Sequence, residues 1–381
     1  MYQKFDIAII GAGCAGLQLL QQLSLLENWP DYKVLLLDDR AEKQQSWCFW
    51  SVADHPLQHL VTKSWQQLSF RSARFSTEQI IAPYTYHYIP GKAFFDYFEQ
   101  QFLPENRNIT VVQAKVSNIR KSETDFLIDT AETVFQAKNC YSSLISRVQN
   151  QPDLWQHFKG WYIETTEDIF DDRVAVLMDY SVQLFEEVHF AYVLPFTKNR
   201  ALIEATFFSA EVLQDQLYDE LIAAYLRKHF PQIKYKIISV ETGRIPMSQQ
   251  PFSRYGLAGE TLIGKAAGMV KASTGYAFNR ITTDSILLAK NMMQKQHLIW
   301  PVTNGRFSFY DHLLLNLIKQ SPWIIPGVFT RLFKYNRMSR VLRFLDEKTT
   351  LIQEVRILCS LPIVPFLKQA ITYIFSSRDR N

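Results

Sequence analysis

The chain has 381 residues, of which 47% are hydrophobic and 20% are charged, and its formal net charge is +4. This length can bury a large core and predicts about two intertwined domains with an appendage, whereas so small a net charge does not predict a nucleic-acid partner. The four cysteines are scattered without metal-ligand spacing, so we expect free thiols in a reducing compartment, no disulfide and no metal site.

The N-terminal residues predict a nucleotide-phosphate site. An apolar run from Phe5 to Ile10 has the composition of a buried strand. It leads into a helix through a loop of small residues, Gly11-Ala12-Gly13-Cys14-Ala15-Gly16. Gly11 permits the tight turn, Gly13 lets a pyrophosphate approach the backbone, and Gly16 lets helix and strand pack closely. The free N–H groups and positive dipole end of the helix would then face the phosphates.

A second apolar strand, from Lys33 to Leu37, is followed by Asp38 and Asp39, about twenty residues beyond the last glycine. In dinucleotide-binding units an acidic residue at this place holds the adenosine ribose hydroxyls. Asp38 is the better candidate because it comes first after the strand. The alternative interpretation is that the two acids cap a loop.

Further along the chain, the patterns change from α/β to mainly β and back. Residues 64–90 favour strands, 94–102 have apolar residues at helical spacing, and 109–112 return to strand. Residues 155–245 contain long strands with short polar turns and a helix at roughly 209–229, and 256–295 return to strand, glycine-rich loop and helix.

This order predicts an α/β fold class. We expect a Rossmann-like dinucleotide-binding domain of residues 1–60, 91–150 and 251–300, with an inserted, mainly antiparallel β-sheet substrate domain of residues 61–90 and 151–250. Residues 301–381 form a C-terminal helical region that we expect to associate with a membrane surface. The first strand begins almost at Met1, so we expect no signal or transit peptide.

The membrane expectation rests on a basic segment near the C-terminus. On a helical projection its apolar residues share one face: Met338, Val341, Leu342 and Leu345. The opposite arc carries Arg337, Arg340 and Arg343. Such a helix could lie on an anionic membrane, or it could pack on the protein with its charged face in solvent. The apolar stretch from Leu358 to Phe375 is a poor membrane span, because two prolines and Lys368 interrupt it.

Several segments, taken in their order and spacing, resemble one family nearly end to end. They are Trp47-Cys48-Phe49-Trp50, Leu177-Met178-Asp179, Phe190-Ala191-Tyr192-Val193-Leu194-Pro195-Phe196, Leu202-Ile203-Glu204-Ala205-Thr206, Glu241-Thr242-Gly243-Arg244-Ile245-Pro246-Met247, Ile263-Gly264-Lys265-Ala266-Ala267-Gly268 and Thr274-Gly275-Tyr276. The family is that of the bacterial lycopene β-cyclases, flavoproteins of carotenoid synthesis.

The resemblance implies FAD-binding domains of the glutathione-reductase and hydroxybenzoate-hydroxylase type, with FAD held non-covalently and active in its reduced form at the expense of NAD(P)H. It implies an isomerase (intramolecular lyase) that converts the linear ψ-ends of lycopene into β-ionone rings, via γ-carotene to β-carotene, without net redox change. Lycopene, a peripheral membrane surface and other carotenoid-pathway enzymes are the expected partners, and the expected location is cytoplasmic with peripheral membrane association. The cofactor contacts would come from Gly11, Ala12, Gly13, Cys14, Ala15, Gly16, Asp38, Gly264, Gly268, Thr274, Gly275 and Tyr276.

Ring closure needs a proton delivered to an unactivated alkene in a dry pocket, and a buried carboxyl group stays protonated because desolvation disfavours its charged form. Glu204 is the first candidate, since apolar residues flank it within a strand and the resemblance carries the family's essential glutamate to this position. From the residues alone, a solvent-facing Glu204 is the alternative. Asp179 and Glu241 are second candidates that could orient the acid or accept the final proton, or could simply form salt bridges or turn contacts.

Aromatic residues make up 14% of the chain and suit the wall of a polyene tunnel, where ring faces can also stabilise a cation. Trp47, Tyr192 and Phe207 are the predicted substrate contacts, although large aromatic residues also build ordinary cores. Two other functions remain open at this point: a flavin-dependent reductase or hydroxylase of isoprenoids or carotenoids, and a non-catalytic flavin-binding carotenoid carrier.

Overall fold

A computed structural model describes residues 2–39, 45–145, 152–294 and 305–378, with side chains up to residue 373 in the last helix. The strands are β1 (Gln3–Ile10), β2 (Val34–Asp38), β3 (Trp47–Ser51), β4 (Lys63–Trp65), β5 (Gln67–Ser72), β6 (Phe75–Ile80), β7 (Thr85–Ile89), β8 (Ile109–Gln113), β9 (Val116–Ser122), β10 (Asp125–Thr130), β11 (Val134–Ser142), β12 (Leu154–Thr165), β13 (Val174–Asp179), β14 (Val188–Thr197), β15 (Arg200–Ser209), β16 (Tyr235–Met247) and β17 (Thr261–Leu262). The helices are α1 (Cys14–Leu23), α2 (Gly91–Tyr97), α3 (Leu103–Glu105), α4 (Asp215–His229), α5 (Phe278–Gln294), α6 (Gly305–Gln320), α7 (Ile325–Tyr335), α8 (Met338–Leu345), α9 (Leu351–Ser360) and α10 (Ile363–Arg378).

The first sheet contains the βαβ unit that the glycine pattern predicts. β1 pairs in parallel with β2 and β11, β8 extends this order beyond β2, and β17 lies beside β11. β10 and β9 add an antiparallel edge. The strand residues from Ile7 to Ile10 and from Val34 to Leu37 are buried, which explains their continuous apolar sequence.

The second sheet has the strand order β16-β12-β15-β14-β13-β5-β6 and is antiparallel except for the β13–β5 pair. α4 packs on one face of this sheet, against Ile203, Ala205 and Phe207 of β15. The alternate residues of β15 point to the opposite face, so both faces of this strand are covered and it is buried almost throughout.

A small sheet, β3-β7-β4, contributes aromatic residues to the region between the two larger sheets. Phe49 of β3 stacks on Phe278 of α5 with ring centroids 4.8 Å apart, and Trp47 lies 4.6 Å from Phe94 of α2. This packing holds β3 close to the βαβ unit.

The C-terminal helices cover the second sheet, and the apolar face of α8 is buried. Met338, Val341 and Leu342 belong to the core formed with that sheet, and Gln79 of β6 accepts a hydrogen bond from the Met338 backbone N–H. Of the two interpretations of the basic segment, the structure therefore supports a helix packed on the protein. The alternative, in which this apolar face lies on a membrane, is wrong because the face is already occupied.

Pro362, one of the two prolines that interrupt the apolar stretch from Leu358 to Phe375, lies between α9 and α10. Within the described residues no single helix is both long and apolar enough to cross a membrane, but α9 and α10 meet that requirement together, with a bend of 116° between them. The proposed domain division stays a prediction, and two of its boundaries, at residue 150 and at residue 300, lie outside the described residues.

Candidate active site

A cavity of about 990 Å³ connects the glycine loop with the second sheet and the C-terminal helices. Gly13, Cys14 and Gly16 line one end, and Leu361 and Phe366 line the other. Its size exceeds that of most small-ligand sites, which reach about 1,000 Å³ only at the upper limit. The cavity can therefore hold a long ligand or two ligands.

The glycine loop has the geometry of a phosphate cradle. Gly11 has φ = +100°, and a Cβ atom there would lie 2.0 Å from Ser143 Oγ. A Cβ atom at Gly16 would lie 2.0 Å from the Gly11 carbonyl oxygen, so larger residues would push α1 away from the loop. The backbone N–H of Ala12 donates a hydrogen bond to Asp38 Oδ2 at 2.5 Å, which places Asp38 beside the loop.

The residues predicted from the sequence to contact the cofactor fall into two groups. One group lines the cavity: Gly13, Cys14, Ala15, Gly16, Gly264, Thr274, Gly275 and Tyr276. The other group shapes the loops behind the cavity. Gly11 makes the turn, and the backbone N–H of Ala12 is hydrogen-bonded to Asp38. Gly268 ends a 3₁₀ turn with φ = +71°. Burial raises the pKa of the Cys14 thiol to about 12, so this residue is a neutral wall group.

Glu204 and Glu241 lie in one row across the second sheet, with Gly160 between them. Gly160 of β12 is the register partner of Glu204 on β15 and of Glu241 on β16. A Cβ atom at Gly160 would lie 3.5 Å from Glu204 Cβ and 3.4 Å from Glu241 Cγ. The absence of a side chain at this one position gives two carboxyl groups a shared space on the cavity wall.

The two carboxyl groups have different surroundings. Glu204 is 8% exposed, and burial, followed by the nearby charge of Glu241, raises its pKa to about 8, although Thr206 Oγ1 donates a hydrogen bond to it at 2.6 Å. Burial also raises the pKa of Glu241, but Tyr162 and Ser46 each donate a hydrogen bond to Oε2 at 2.8 Å and thereby stabilise its charged form. Glu204 therefore keeps its proton at neutral pH, and the two hydrogen bonds to Glu241 favour the charged form of that second carboxyl group.

Tyr192 continues the row beyond Glu204, as its register partner on β14. Its hydroxyl lies 2.8 Å from that of Tyr86, which lies 3.0 Å from that of Tyr276. Burial raises the pKa of all three phenols. This part of the wall is thus neutral and aromatic, and Trp50, which does not line the cavity, supports the Tyr276 ring by an edge-on contact with centroids 4.7 Å apart.

Two of the predicted substrate contacts, Trp47 and Tyr192, line the cavity. The third, Phe207, does not line it, and neither does the catalytic candidate Asp179. β15 turns Phe207 toward α4, where it packs on His157 and Tyr218, and presents Phe208 to the cavity. Asp179 is fully buried on the same α4 side, with Tyr225 OH at 3.2 Å and His229 Nε2 at 3.7 Å. The structure therefore brings Glu241, and not Asp179, to Glu204, and the assignment of Phe207 to the substrate wall is replaced by Phe208.

The C-terminal helices supply part of the cavity wall that the sequence reasoning missed. These residues are Phe329, Leu332, Phe333, Leu345, Leu358, Leu361 and Phe366. Their apolar positions follow helical periodicity, which predicts a buried face but not what that face covers. The available sequence signal for a second covered surface is a helix that has apolar residues on all of its faces.

The fold and the site together define the class: an α/β protein with the fold of FAD-dependent oxidoreductases, and an acid pair on the wall of its large cavity. Among solved structures, a flavoprotein/dehydrogenase from Cytophaga hutchinsonii has a TM-score of 0.59 at 12% identity, covering 93% of this chain and 99% of that one. A geranylgeranyl bacteriochlorophyll reductase-like protein from Thermoplasma acidophilum has a TM-score of 0.58 at 11% identity, with coverage of 97% and 99%. A probable FAD-dependent monooxygenase from Pseudomonas aeruginosa has a TM-score of 0.58 at 14% identity, with coverage of 84% and 97%.

Within this class, the chain belongs to the lycopene cyclase family. The family model described as lycopene cyclase protein matches residues 6–371. The chain is also similar to lycopene beta-cyclase from Pantoea ananas, at 23% identity over 399 residues, covering 96% of this chain and 97% of that protein. These matches confirm the resemblance inferred from the sequence, and the structural likeness confirms the predicted fold class.

Proposed function

We propose that this protein is a lycopene β-cyclase, an isomerase that closes the ψ-ends of lycopene into β-ionone rings, via γ-carotene to β-carotene, without net redox change. The observation that carries the proposal is Glu204, a buried carboxyl group on an apolar cavity wall that remains protonated at neutral pH. Family membership and the similarity to the Pantoea ananas protein support the class of substrate.

The residues at the loop end of the cavity fit FAD. No side chain caps the N-terminus of α1, so its first-turn N–H groups can serve a pyrophosphate. The buried oxygens Thr274 Oγ1 and Gln156 Oε1 have no hydrogen-bond partner among the described residues, and both residues line the cavity. Such atoms suit the polar edge of a bound cofactor. Reduced by NAD(P)H, bound FAD would supply negative charge that stabilises a cation.

The reaction begins with proton transfer from Glu204. Its O–H proton moves to C2 of the terminal alkene, and the cation forms at C1. The electron pair of the C5–C6 double bond then attacks C1, which forms the ring bond and moves the positive charge to C5. The apolar wall excludes water that would otherwise capture either cation.

Glu241 is the proposed acceptor of the final proton. Loss of the C6 proton forms the C5–C6 double bond of the β-ionone ring. Glu241 receives this proton, and it is taken as ionised at the start of the cycle because two hydrogen bonds favour its charged form. The two carboxyl groups again hold one proton between them at the end, so the proton count balances. Return of that proton to Glu204 across the space above Gly160 restores the starting state.

The neutral aromatic wall has a role in the same steps. Phenol rings at Tyr86, Tyr192 and Tyr276 offer π faces that attract a cation, and none of them is nucleophilic enough to end the reaction in the way that a carboxylate would. Their hydrogen-bonded hydroxyl groups fix the ring orientations.

The test is expression in a lycopene-accumulating host, followed by chromatography of the pigments. The wild type should convert lycopene to γ-carotene and β-carotene, Glu204→Gln should leave lycopene unchanged, and Glu211→Gln, at an exposed acid just beyond β15, should behave as wild type. Unchanged lycopene with folded, flavin-loaded wild type would contradict the proposal. So would consumption of NAD(P)H in step with product, because a cyclase needs reductant only to prime the flavin.

A further inference from the structure

The helices α9 and α10 are apolar on their outer as well as their inner faces. Inner residues such as Ile357, Leu361 and Phe366 line the cavity. The outer residues are 48–78% exposed: Leu351, Ile352, Val355, Ile363, Val364, Leu367 and Ile371. A helix that is apolar all round is expected in a core or in a membrane, and a contiguous exposed patch marks an interaction site. We call these seven residues the outer apolar surface.

The exposed charges on these helices are basic. In the described part of α9 and α10 they are Arg356 and Lys368. The one acid of α9, Glu354, is buried and paired with Arg306 at 2.8 Å. An apolar stripe bordered by cations matches the acyl chains and headgroups of an anionic bilayer.

A tryptophan lies close to this surface. Trp323 is 72% exposed in the short 3₁₀ turn Pro322–Ile324 that follows α6. Gln369 of α10 donates a hydrogen bond to Gln320 at the end of α6 at 2.9 Å, which joins α10 to this turn. Exposed indole rings are favoured at the boundary between water and lipid.

We propose that the outer apolar surface docks this protein on an anionic lipid bilayer. The two helices lie in the plane of the interface, since they are bent by 116° and their inner faces already pack on the protein. One consequence of this proposal rests on the proposed function. A polyene dissolved in lipid would enter the cavity past α9 and α10 without crossing water.

Vesicle flotation tests the proposal. Purified, flavin-loaded protein is mixed with phosphatidylcholine vesicles that contain or lack phosphatidylglycerol, with no carotenoid present. The wild type should float with the anionic vesicles, and Ile352→Glu/Val364→Glu should lose at least about tenfold in partitioning, because both changes place charge where the interface is apolar. Leu257→Glu changes a fully exposed leucine far along the chain from these helices and should float as wild type.

A second part of the flotation experiment tests the basic residues. Arg356→Gln and Lys368→Gln should each lower partitioning to the anionic vesicles about fivefold and leave partitioning to neutral vesicles unchanged. Undiminished flotation of the double glutamate variant would overturn the proposal. So would a wild type that does not float but forms a dimer that the same double variant dissociates, since the surface would then bind a second copy.

Failure of docking and failure of the proposed function are distinguishable. The double glutamate variant should still cyclise lycopene dispersed in detergent, because neither Ile352 nor Val364 lines the cavity. A protein that floats but does not cyclise would refute the proposed function alone. A protein that cyclises in detergent but does not float would refute the docking surface alone.

Discussion

Glu204 is buried in an apolar wall, and the proposed reaction requires its carboxyl group to donate a proton. Its position next to Tyr192 on one side and Gly160 on the other gives it few polar neighbours, and Thr206 supplies the hydrogen bond that limits the rise of its pKa. Glu241, two strands away, has the hydrogen-bond donors that Glu204 lacks. The difference between the two groups follows from which neighbours each strand places beside them.

The rate of cyclisation should depend on pH through this pair. It should fall as pH rises through about 8, where Glu204 loses its proton, and also at low pH, where Glu241 gains one. The measurement is kcat/KM against pH with detergent-dispersed lycopene. Thr206→Val removes a hydrogen bond that lowers the pKa of Glu204, so the alkaline limb should move to higher pH. A limb that stays in place would show that another group donates the proton.

Gly160 should be required for the geometry of the pair. In Gly160→Ala the new Cβ would lie 2.6 Å from Leu202 Cδ1 as well as close to both glutamates, so the wall must shift. We expect kcat to fall about tenfold or more with a loss of stability of about 1–3 kcal/mol. Steady-state kinetics and thermal unfolding measure the two effects. Gly327→Ala, in α7 where a Cβ atom would meet nothing within 4 Å, should leave kcat unchanged and should not lower stability, since alanine favours a helix over glycine. An equal loss of kcat in the two variants would contradict the role of Gly160.

At the scale of the element, β15 divides its residues between a core and a cavity. Phe207→Ala should destabilise the protein by about 3–5 kcal/mol, because Phe207 is fully buried against α4, and should leave KM for lycopene unchanged. Phe208→Ala should raise KM, since Phe208 lines the cavity. Chemical unfolding and kinetics on the two purified variants provide the comparison. A raised KM in Phe207→Ala with an unchanged KM in Phe208→Ala would contradict this division of the strand.

The same strand shows what the sequence can and cannot predict. The pattern around Glu204 is enough to place it in a strand, and the glycine loop is enough to predict a βαβ unit, because both signals are local. Which face of β15 meets the cavity is not local, since both faces are apolar and a shift of one residue exchanges them. The sequence pattern therefore predicts Phe207 at the cavity where the structure has Phe208, and it does not separate Asp179 from Glu241.

At the scale of the whole molecule, a buried ion cluster ties the loop before Thr274 to the C-terminal helices. Lys271 is 4% exposed, and its Nζ lies 2.9 Å from both Asp311 Oδ2 and Glu347 Oε1. Ser273 donates a hydrogen bond to Asp311 Oδ1 at 2.6 Å. The position of the helices that cover the cavity is thus coupled to the loop proposed to hold the cofactor.

Lys271→Met should destabilise the protein by about 3–5 kcal/mol, because it leaves the buried Asp311 carboxylate without a cation. The half-buried Glu347 keeps Arg280, at 3.0 Å. Residues 305–378 should become sensitive to protease first, and the affinity for FAD should fall. Limited proteolysis and flavin titration measure these effects. Lys348→Met removes an exposed partner of Asp346 and should cost about 0–1 kcal/mol. Uniform protease sensitivity in Lys271→Met would argue against the coupling.

The helical nature of residues 305–378 was predictable from periodicity, but their role was not. An apolar face can pack on a sheet, line a cavity or meet lipid, and the pattern within one helix is the same in each case. The basic and apolar faces of α8 fit a membrane surface and a packed helix equally well in the sequence. Its burial depends on contacts with β6, α7 and α9, whose positions the chain order alone does not reveal.

The neutral carboxyl group on the cavity wall also makes the folded state sensitive to alkali. An unfolded chain releases the Glu204 proton near its ordinary pKa, whereas the folded protein keeps it up to about pH 8. The folded state therefore binds more protons between these values, and the free energy of unfolding falls as pH rises through that range. Glu204→Gln should be as stable as wild type in acid and more stable by roughly 1–4 kcal/mol at pH 8, measured by denaturant unfolding at several pH values. A variant that is inactive but resists unfolding better than the wild type would show that the ionisable Glu204 carboxyl group lowers stability and is needed for catalysis.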